Sequence, residues 1–231
     1  MENELRTSLL LTIVEKGKEI KVQEYLQKQK ITFSILLYAY GTASSSLLNY
    51  FGLDETKKTL ILSVIPEFLE DQILYDFHKE LKFYEPGQGV ACTIRMTSAS
   101  RYLTNIYSNV KKKVGIKMNQ DEKYELITLI VSEGYASLAM DAAKKVGAMG
   151  GTLIHGRGLG SKEATKFLNI TIEPEKDIVL IIAKKELKNK IMEEITEKVG
   201  LSKEGRGVLF SCPVNKTIGL TEDIKIEKIE E

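Results

Sequence analysis

Residues 126–134 read Leu126-Ile127-Thr128-Leu129-Ile130-Val131-Ser132-Glu133-Gly134, and residues 9–17 read Leu9-Leu10-Leu11-Thr12-Ile13-Val14-Glu15-Lys16-Gly17. Each is a short apolar run rich in β-branched side chains, closed by a charged residue and a glycine, the pattern of a strand entering a turn. The offset from Gly17 to Gly134 is 117. The same offset sets Leu36 on Leu153, Gly41 on Gly158 and Ser44 on Ser161. Further on, Leu69 meets Leu187, Ile73 meets Ile191, and Gly87-Gln88-Gly89-Val90 meets Gly205-Arg206-Gly207-Val208, now at an offset of 118. Landmarks kept in order over so long a stretch mark an internal repeat.

The second copy is the clearer of the two. After the strand at Leu126–Val131, the segment Tyr135–Val146 places Leu138, Ala139, Ala142, Ala143 and Val146 on one helical stripe. Gly147 follows where a helix end favours a left-handed residue. Thr152–Arg157 reads as a strand, 158–175 as a polar loop, and Asp177–Ala183 as a continuous apolar strand. Leu187, Ile191, Ile195 and Val199 recur every four residues and mark a helix stopped at Gly200; Val208–Cys212 is a last strand before Pro213. The first copy repeats this order with strands at Ser8–Val14, Phe33–Tyr40, Thr59–Ile65 and Val90–Arg95, and helices at Lys18–Gln29 and Glu67–Leu81. Strand-helix-strand twice over is the ferredoxin-like arrangement. The expectation is an α+β protein of two tandem βαββαβ units, residues 5–103 and 123–231, joined by a linker at 104–122. The tail Thr221–Glu231 alternates Ile224, Ile226 and Ile229 with polar residues and is expected to form a short strand.

Composition narrows the function. With 33 Lys+Arg against 32 Asp+Glu the formal net charge is +1, so no overall field draws the chain to nucleic acid. Two cysteines without a CxxC pair exclude a disulfide scaffold and a cysteine-built zinc site, and two histidines are too few for a multi-histidine metal centre. The apolar runs are strand-sized, too short to cross a membrane as a helix. The charged start Met1–Arg6 lacks the layout of a secretion signal, so a cytoplasmic setting is expected.

Two glycine-rich segments stand out. His155-Gly156-Arg157-Gly158-Leu159-Gly160-Ser161-Lys162 strips side chains from the backbone between two cations, so that amide groups can approach an anion. It lacks the spacing of a P-loop and of a dinucleotide-binding fingerprint, and the same glycines also suit a strand exit that needs positive φ. Gly205-Arg206-Gly207 is a second short nest with a charged arm. Its counterpart, Gly87-Gln88-Gly89, keeps the glycines and has no arginine. The glycines therefore serve the fold in both copies, and the charge belongs to the second alone. His155, as a lone histidine at a strand end, reads as a packed polar residue. No residue is singled out as a nucleophile or general base, so no catalytic residue is assigned and binding is favoured over catalysis.

These residues resemble a known family. Gly205-Arg206-Gly207-Val208-Leu209-Phe210-Ser211-Cys212-Pro213-Val214 looks like the nucleotide-loop and last-strand segment of the PII nitrogen-regulatory signalling proteins. Arg157-Gly158-Leu159-Gly160 resembles the base of that family's T-loop, and Pro174 falls where the loop ends. The resemblance spans most of Tyr124–Thr221 and is weaker over Ser8–Leu103, which is read as a degenerate copy. It implies a PII-like regulatory protein, not an enzyme. It would bind a small anionic ligand, an adenine nucleotide such as ATP, ADP or AMP before others, at Arg157, Gly158, Gly160, Ser161, Lys162, Gly205, Arg206 and Gly207. The T-loop-like segment 158–175 would regulate a membrane transporter or metabolic enzyme. Family members are trimers, and the expected assembly here is a homotrimer. Arg206 and Val208 stand where the family carries an acidic residue and a lysine, and Glu175 stands where it carries a lysine. The competing expectation is an interaction scaffold of the same fold that needs no ligand.

Overall fold

The computed structural model describes residues 6–42, 56–100, 105–107, 110, 116–118, 123–158, 165–167, 170–172, 175–220 and 226–228. Its elements fall in two units. One comprises Met1–Tyr38, Lys58–Lys123 and Pro213–Glu231; the other comprises Ala39–Lys57 and Tyr124–Cys212.

In the first unit, β1 (Thr7–Glu15) lies between β3 (Thr56–Pro66) and β4 (Gly89–Arg95), antiparallel to both, and β2 (Ser34–Gly41) lies outside β3. Counted within the unit the strand order is 2-3-1-4, the ferredoxin-like order. Helices α1 (Glu19–Lys28) and α2 (Glu70–Lys79) supply Val22, Tyr25, Leu26, Ile73, Leu74 and Phe77 to a core with Leu10, Val14, Ile61 and Ile65. Strict alternation on β1 sends Leu10 and Val14 to this side. A polar pair between the helices is satisfied: Tyr25 Oη donates to Asp76 Oδ2 at 2.5 Å, and Gln72 Nε2 donates to the same carboxylate at 2.8 and 2.9 Å.

Residues after Cys212 return to this first unit. β12 (Lys216–Ile218) adds to the outer edge of β4 in the register Lys216↔Thr93, Thr217↔Cys92, Ile218↔Ala91. The addition covers an edge whose backbone groups would otherwise seek partners. Asn215 Nδ2 donates to Glu70 Oε2 at 2.6 Å, and Lys216 Nζ lies 2.6 Å from Asp71 Oδ1 and 3.7 Å from Glu70 Oε2. The charged tail does form a strand: β13 (Ile226–Lys228) pairs antiparallel with β5 (Ile116–Met118). Within the segment expected as a linker, Tyr107 is fully buried and its hydroxyl donates to Val64 O at 2.6 Å. Ile106 and Val110 pack beside it against the same core, so the segment is anchored by an aromatic ring with a satisfied polar tip and two aliphatic neighbours.

The second unit repeats the order. β10 (Glu175–Lys184) is central, antiparallel to β6 (Tyr124–Ser132) on one side and β7 (Thr152–Arg157) on the other, with β11 (Val208–Val214) outside β6. Counted within the unit this is 4-1-3-2, the same sequence of strands as 2-3-1-4 read from the other edge. Helices α3 (Ala136–Lys145) and α4 (Lys188–Val199) cover one face, and Ala139, Ala143, Ile191, Ile195 and Val199 pack on Ile127, Leu129, Val131, Leu153, Val179 and Ile181. Gly147 has φ +108, as the end of α3 requires. The end of β2 belongs here: Tyr40 and Gly41 pair with Leu153 and Thr152, and Thr42 and Gly151 exchange three hydrogen bonds of 2.8–3.1 Å. Within 158–175 the described residues form a short hairpin, β8 (Thr165–Phe167) against β9 (Ile170–Ile172).

Candidate functional site

The register of the second unit sets a row of residues across one end of its sheet. Val131 of β6 pairs with Asp177 of β10, and Asp177 pairs with His155 of β7. Gly205 sits on the same row, since a side chain there would stand 3.1 Å from Val131 Cγ2 and 3.2 Å from the Tyr135 ring. Val131 faces the helices, and directly paired residues project to the same side. The row thus runs from Gly205 over Val131 to Asp177 and His155 on one face, at about 4.8 Å per strand. The turn at 132–135 ties it together: Ser132 N–H donates to Gly205 O at 2.9 Å, and Gly134 N–H donates to Asp177 Oδ2 at 3.1 Å. The turn therefore touches the expected segment at 205 directly and reaches the strand that carries Arg157 only through Asp177 and His155.

Two positions along, on the same face, Arg157 lies opposite Glu175. Arg157 Nε and Nη2 lie 3.0 and 2.7 Å from Glu175 Oε1. Both side chains are largely exposed, so this pair adds little stability. His155 Nδ1 lies 2.8 Å from Asp177 Oδ1, with the imidazole half exposed and the carboxyl only 3% exposed. Tyr40 packs beside the imidazole with ring centroids 5.4 Å apart. On the other side of the turn, Tyr135 Oη donates to Glu204 Oε2 at 3.0 Å, and that hydrogen bond to a carboxylate pushes the phenol up.

Among the expected ligand residues, Gly160, Ser161 and Lys162 lie outside the described residues, as do Leu159 and Pro174. Neither Gly156 nor Gly158 has positive φ, so these two do not serve a left-handed strand exit. In the 205–207 turn, by contrast, the left-handed residue is Arg206 itself, with φ +48. Its two glycines are needed for space. A side chain on Gly207 would come 2.6 Å from Val199 O. The amides of this turn are mostly committed within the chain: Arg206 N–H donates to Lys203 O at 3.0 Å and Gly207 N–H to Val199 O at 2.6 Å. The turn therefore does not present a ring of free N–H groups.

Sequence reasoning did not find Asp177, Tyr135 or Glu204. Asp177 opens an apolar run and looks like a solvated strand end. The signal that could have found it is its offset partner in the first copy, Thr59, which pairs with Val14 as Asp177 pairs with Val131. At these offset positions the first unit has a neutral residue where the second has a carboxylate, and Tyr38 where the second has His155.

Residues 124–223 match the family described as nitrogen regulatory protein P-II, beginning at the first residue of β6. This stretch of the chain is PII-like, with the ferredoxin-like α/β fold described above. Among solved structures, Arabidopsis thaliana PII bound to citrate is similar at 23% identity, covering 41% of this chain and 77% of that one with a TM-score of 0.31. No curated protein matches the chain. Among the described residues no helix is long and apolar enough to cross a membrane, and no cluster of three metal-ligating side chains is present.

Proposed function

We propose that the chain is a PII-like signal-transduction protein that binds a small anionic ligand, an adenine nucleotide before others, at this end of the second unit. The ligand contacts are Arg157, Gly158, Gly160, Ser161, Lys162 and the 205–207 turn, and the output is the loop 158–175 acting on a transporter or enzyme. The observation that carries the reading is the shared turn 132–135, which bonds to Gly205 and to Asp177 at once. It links the 205–207 turn, by way of Asp177 and His155, to the strand that ends at Arg157. The first unit is read as a degenerate copy of the second, supported by its identical strand order. Assembly is proposed as a homotrimer.

Calorimetry with ATP, ADP, AMP and citrate tests the ligand. One member of that set should bind, and Arg206→Ala should weaken it by roughly tenfold or more, the scale of losing a charge-assisted hydrogen bond. Silence across the panel ends the ligand reading. One observation favours the scaffold alternative: the amides of 206 and 207 are already used by Lys203 and Val199. Partner capture that is unchanged by any of the four compounds would decide for it.

A further inference from the structure

His155 is the one titratable group in this row that lies between a buried carboxylate and solvent. Its Nδ1 is held 2.8 Å from Asp177 Oδ1, while Asp177 Oδ2 accepts the Gly134 N–H. An ionised carboxylate only accepts hydrogen bonds, so Nδ1 carries a hydrogen whether the ring is neutral or charged. The exchangeable position is Nε2, at the other side of a half-exposed ring. The groups around the imidazole are Asp177 from β10, the Tyr40 ring from β2, the Gly134 amide from the 132–135 turn, and the Arg157–Glu175 rung beside it. Lys176 faces away, its Nζ 3.2 Å from Ser132 Oγ.

The charges of the two rungs decide what this end of the sheet accepts. With a neutral imidazole, Arg157 stands against Glu175 and Asp177, an excess of one negative charge. With a protonated imidazole the two rungs balance. Protonation adds one positive charge beside an arriving anion, which is therefore held more strongly in the second state than in the first. At the offset positions the first copy has Tyr38 and Thr59 for His155 and Asp177, and Tyr40 and Lys57 for Arg157 and Glu175, so its strands carry no such pair. There the amide of the turn glycine, Gly17, donates to Glu19 Oε2 at 2.5 Å instead.

We propose that anion binding at this end of the second unit is coupled to proton uptake at His155 Nε2, with Asp177 holding the ring in place. The coupling rests on the ligand reading above. Because linkage is reciprocal, a ligand that prefers the protonated ring also raises its occupancy by protons. Affinity is therefore higher with the ring protonated than with it neutral.

The test is calorimetry with ADP at pH 6 and pH 8, in two buffers of different ionisation enthalpy, on the full chain and on His155→Gln. In the unmodified chain, binding should take up a fraction of a proton and be roughly tenfold tighter at pH 6 than at pH 8, the usual scale of a coupling between sites. His155→Gln, which keeps a donor toward Asp177, should bind with the same affinity at both pH values and without proton uptake. Equal uptake by the two proteins overturns the coupling and leaves the ligand reading standing. No ADP binding at either pH overturns both. Ring-nitrogen NMR of the unmodified chain is the check that needs no variant: Nδ1 should stay protonated throughout, and ADP should shift the Nε2 titration upward. An Nε2 titration unmoved by bound ADP refutes the coupling.

Discussion

Gly207→Ala is the substitution that separates a glycine kept for packing from one kept for a ligand. A Cβ at 207 would stand 2.6 Å from Val199 O and 3.1 Å from Leu129 Cδ1. The first contact is with backbone at the end of α4, and the Gly207 N–H is bonded to that same carbonyl, so neither group can withdraw without breaking the other's partner. Overpacking of this kind costs about 1–3 kcal/mol, and loss of the bond adds about 1 kcal/mol. Gly156→Ala is the control: its Cβ would have nothing nearer than 3.9 Å and its φ is not positive. That change should be neutral or stabilise by up to about 1 kcal/mol, through the unfolded chain. Hydrogen exchange at β6 and α4 amides reads the second unit by itself, where a denaturation midpoint would mix the two units. The expected outcome is a loss of protection in Gly207→Ala worth about 2 kcal/mol or more and none in Gly156→Ala. A Gly207→Ala protein within about 0.5 kcal/mol of the parent would refute the packing argument and return the glycine to ligand chemistry.

Tyr25→Phe removes the donor to Asp76 and leaves a buried carboxylate with Gln72 alone; hydrogen exchange at α1 and α2 amides should show a loss of about 1–3 kcal/mol. Burial pushes the Glu70 carboxyl above its ordinary value of 4.5, against the opposing pull of Ser8, Lys216 and Asn215. The folded chain then holds that proton more tightly than the unfolded one, so this contribution to stability is present at acid pH and is lost as pH rises above 4.5. Glu70→Gln should therefore flatten stability measured between pH 4 and pH 7, and an unchanged slope counts against the assignment. Arg206→Gly should leave stability within about 1 kcal/mol, because relief of a left-handed backbone offsets the added freedom of the unfolded chain. The same variant should lose ADP affinity; a loss of stability without a loss of affinity would make Arg206 structural.

The strands and helices of the second unit were legible because each carries one strong period: four-residue spacing along α4, an unbroken apolar run in β10, and Gly147 at a helix end. The turn glycines at 17 and 134 were legible for a related reason, since each follows a strand and does the same backbone work. Gly17 and Gly134 have φ +100 and +87. What was not legible is the crossing of segments between units. Nothing local to residues 39–42 says that Thr42 bonds to Gly151, and nothing local to Asn215 or Lys216 says that they reach Glu70 and Asp71. These contacts depend on pairing over more than 100 residues, which no window of sequence contains. Asp177 was hidden in the same way, because its burial is conferred by the Gly134 amide and His155 and not by its neighbours in the chain.

Comparison of the two copies shows which part of the 205–207 turn is free to vary. In the first copy a side chain on Gly89 would strike the Phe83 ring at 2.6 Å; in the second, one on Gly207 would strike Val199 O at the same distance. The obstacle differs, aromatic in one and backbone in the other, yet both demand a residue without Cβ. The left-handed position has moved as well, from Gly87 with φ +79 to Arg206 with φ +48. A glycine could occupy 206 at less backbone cost, so the arginine there is not explained by the turn. Packing accounts for the glycines on either side, and the side chain they flank is left to account for itself by what it contacts. With both glycines committed to packing and the amides of 206 and 207 bonded within the chain, the backbone of this turn has little left to offer an anion.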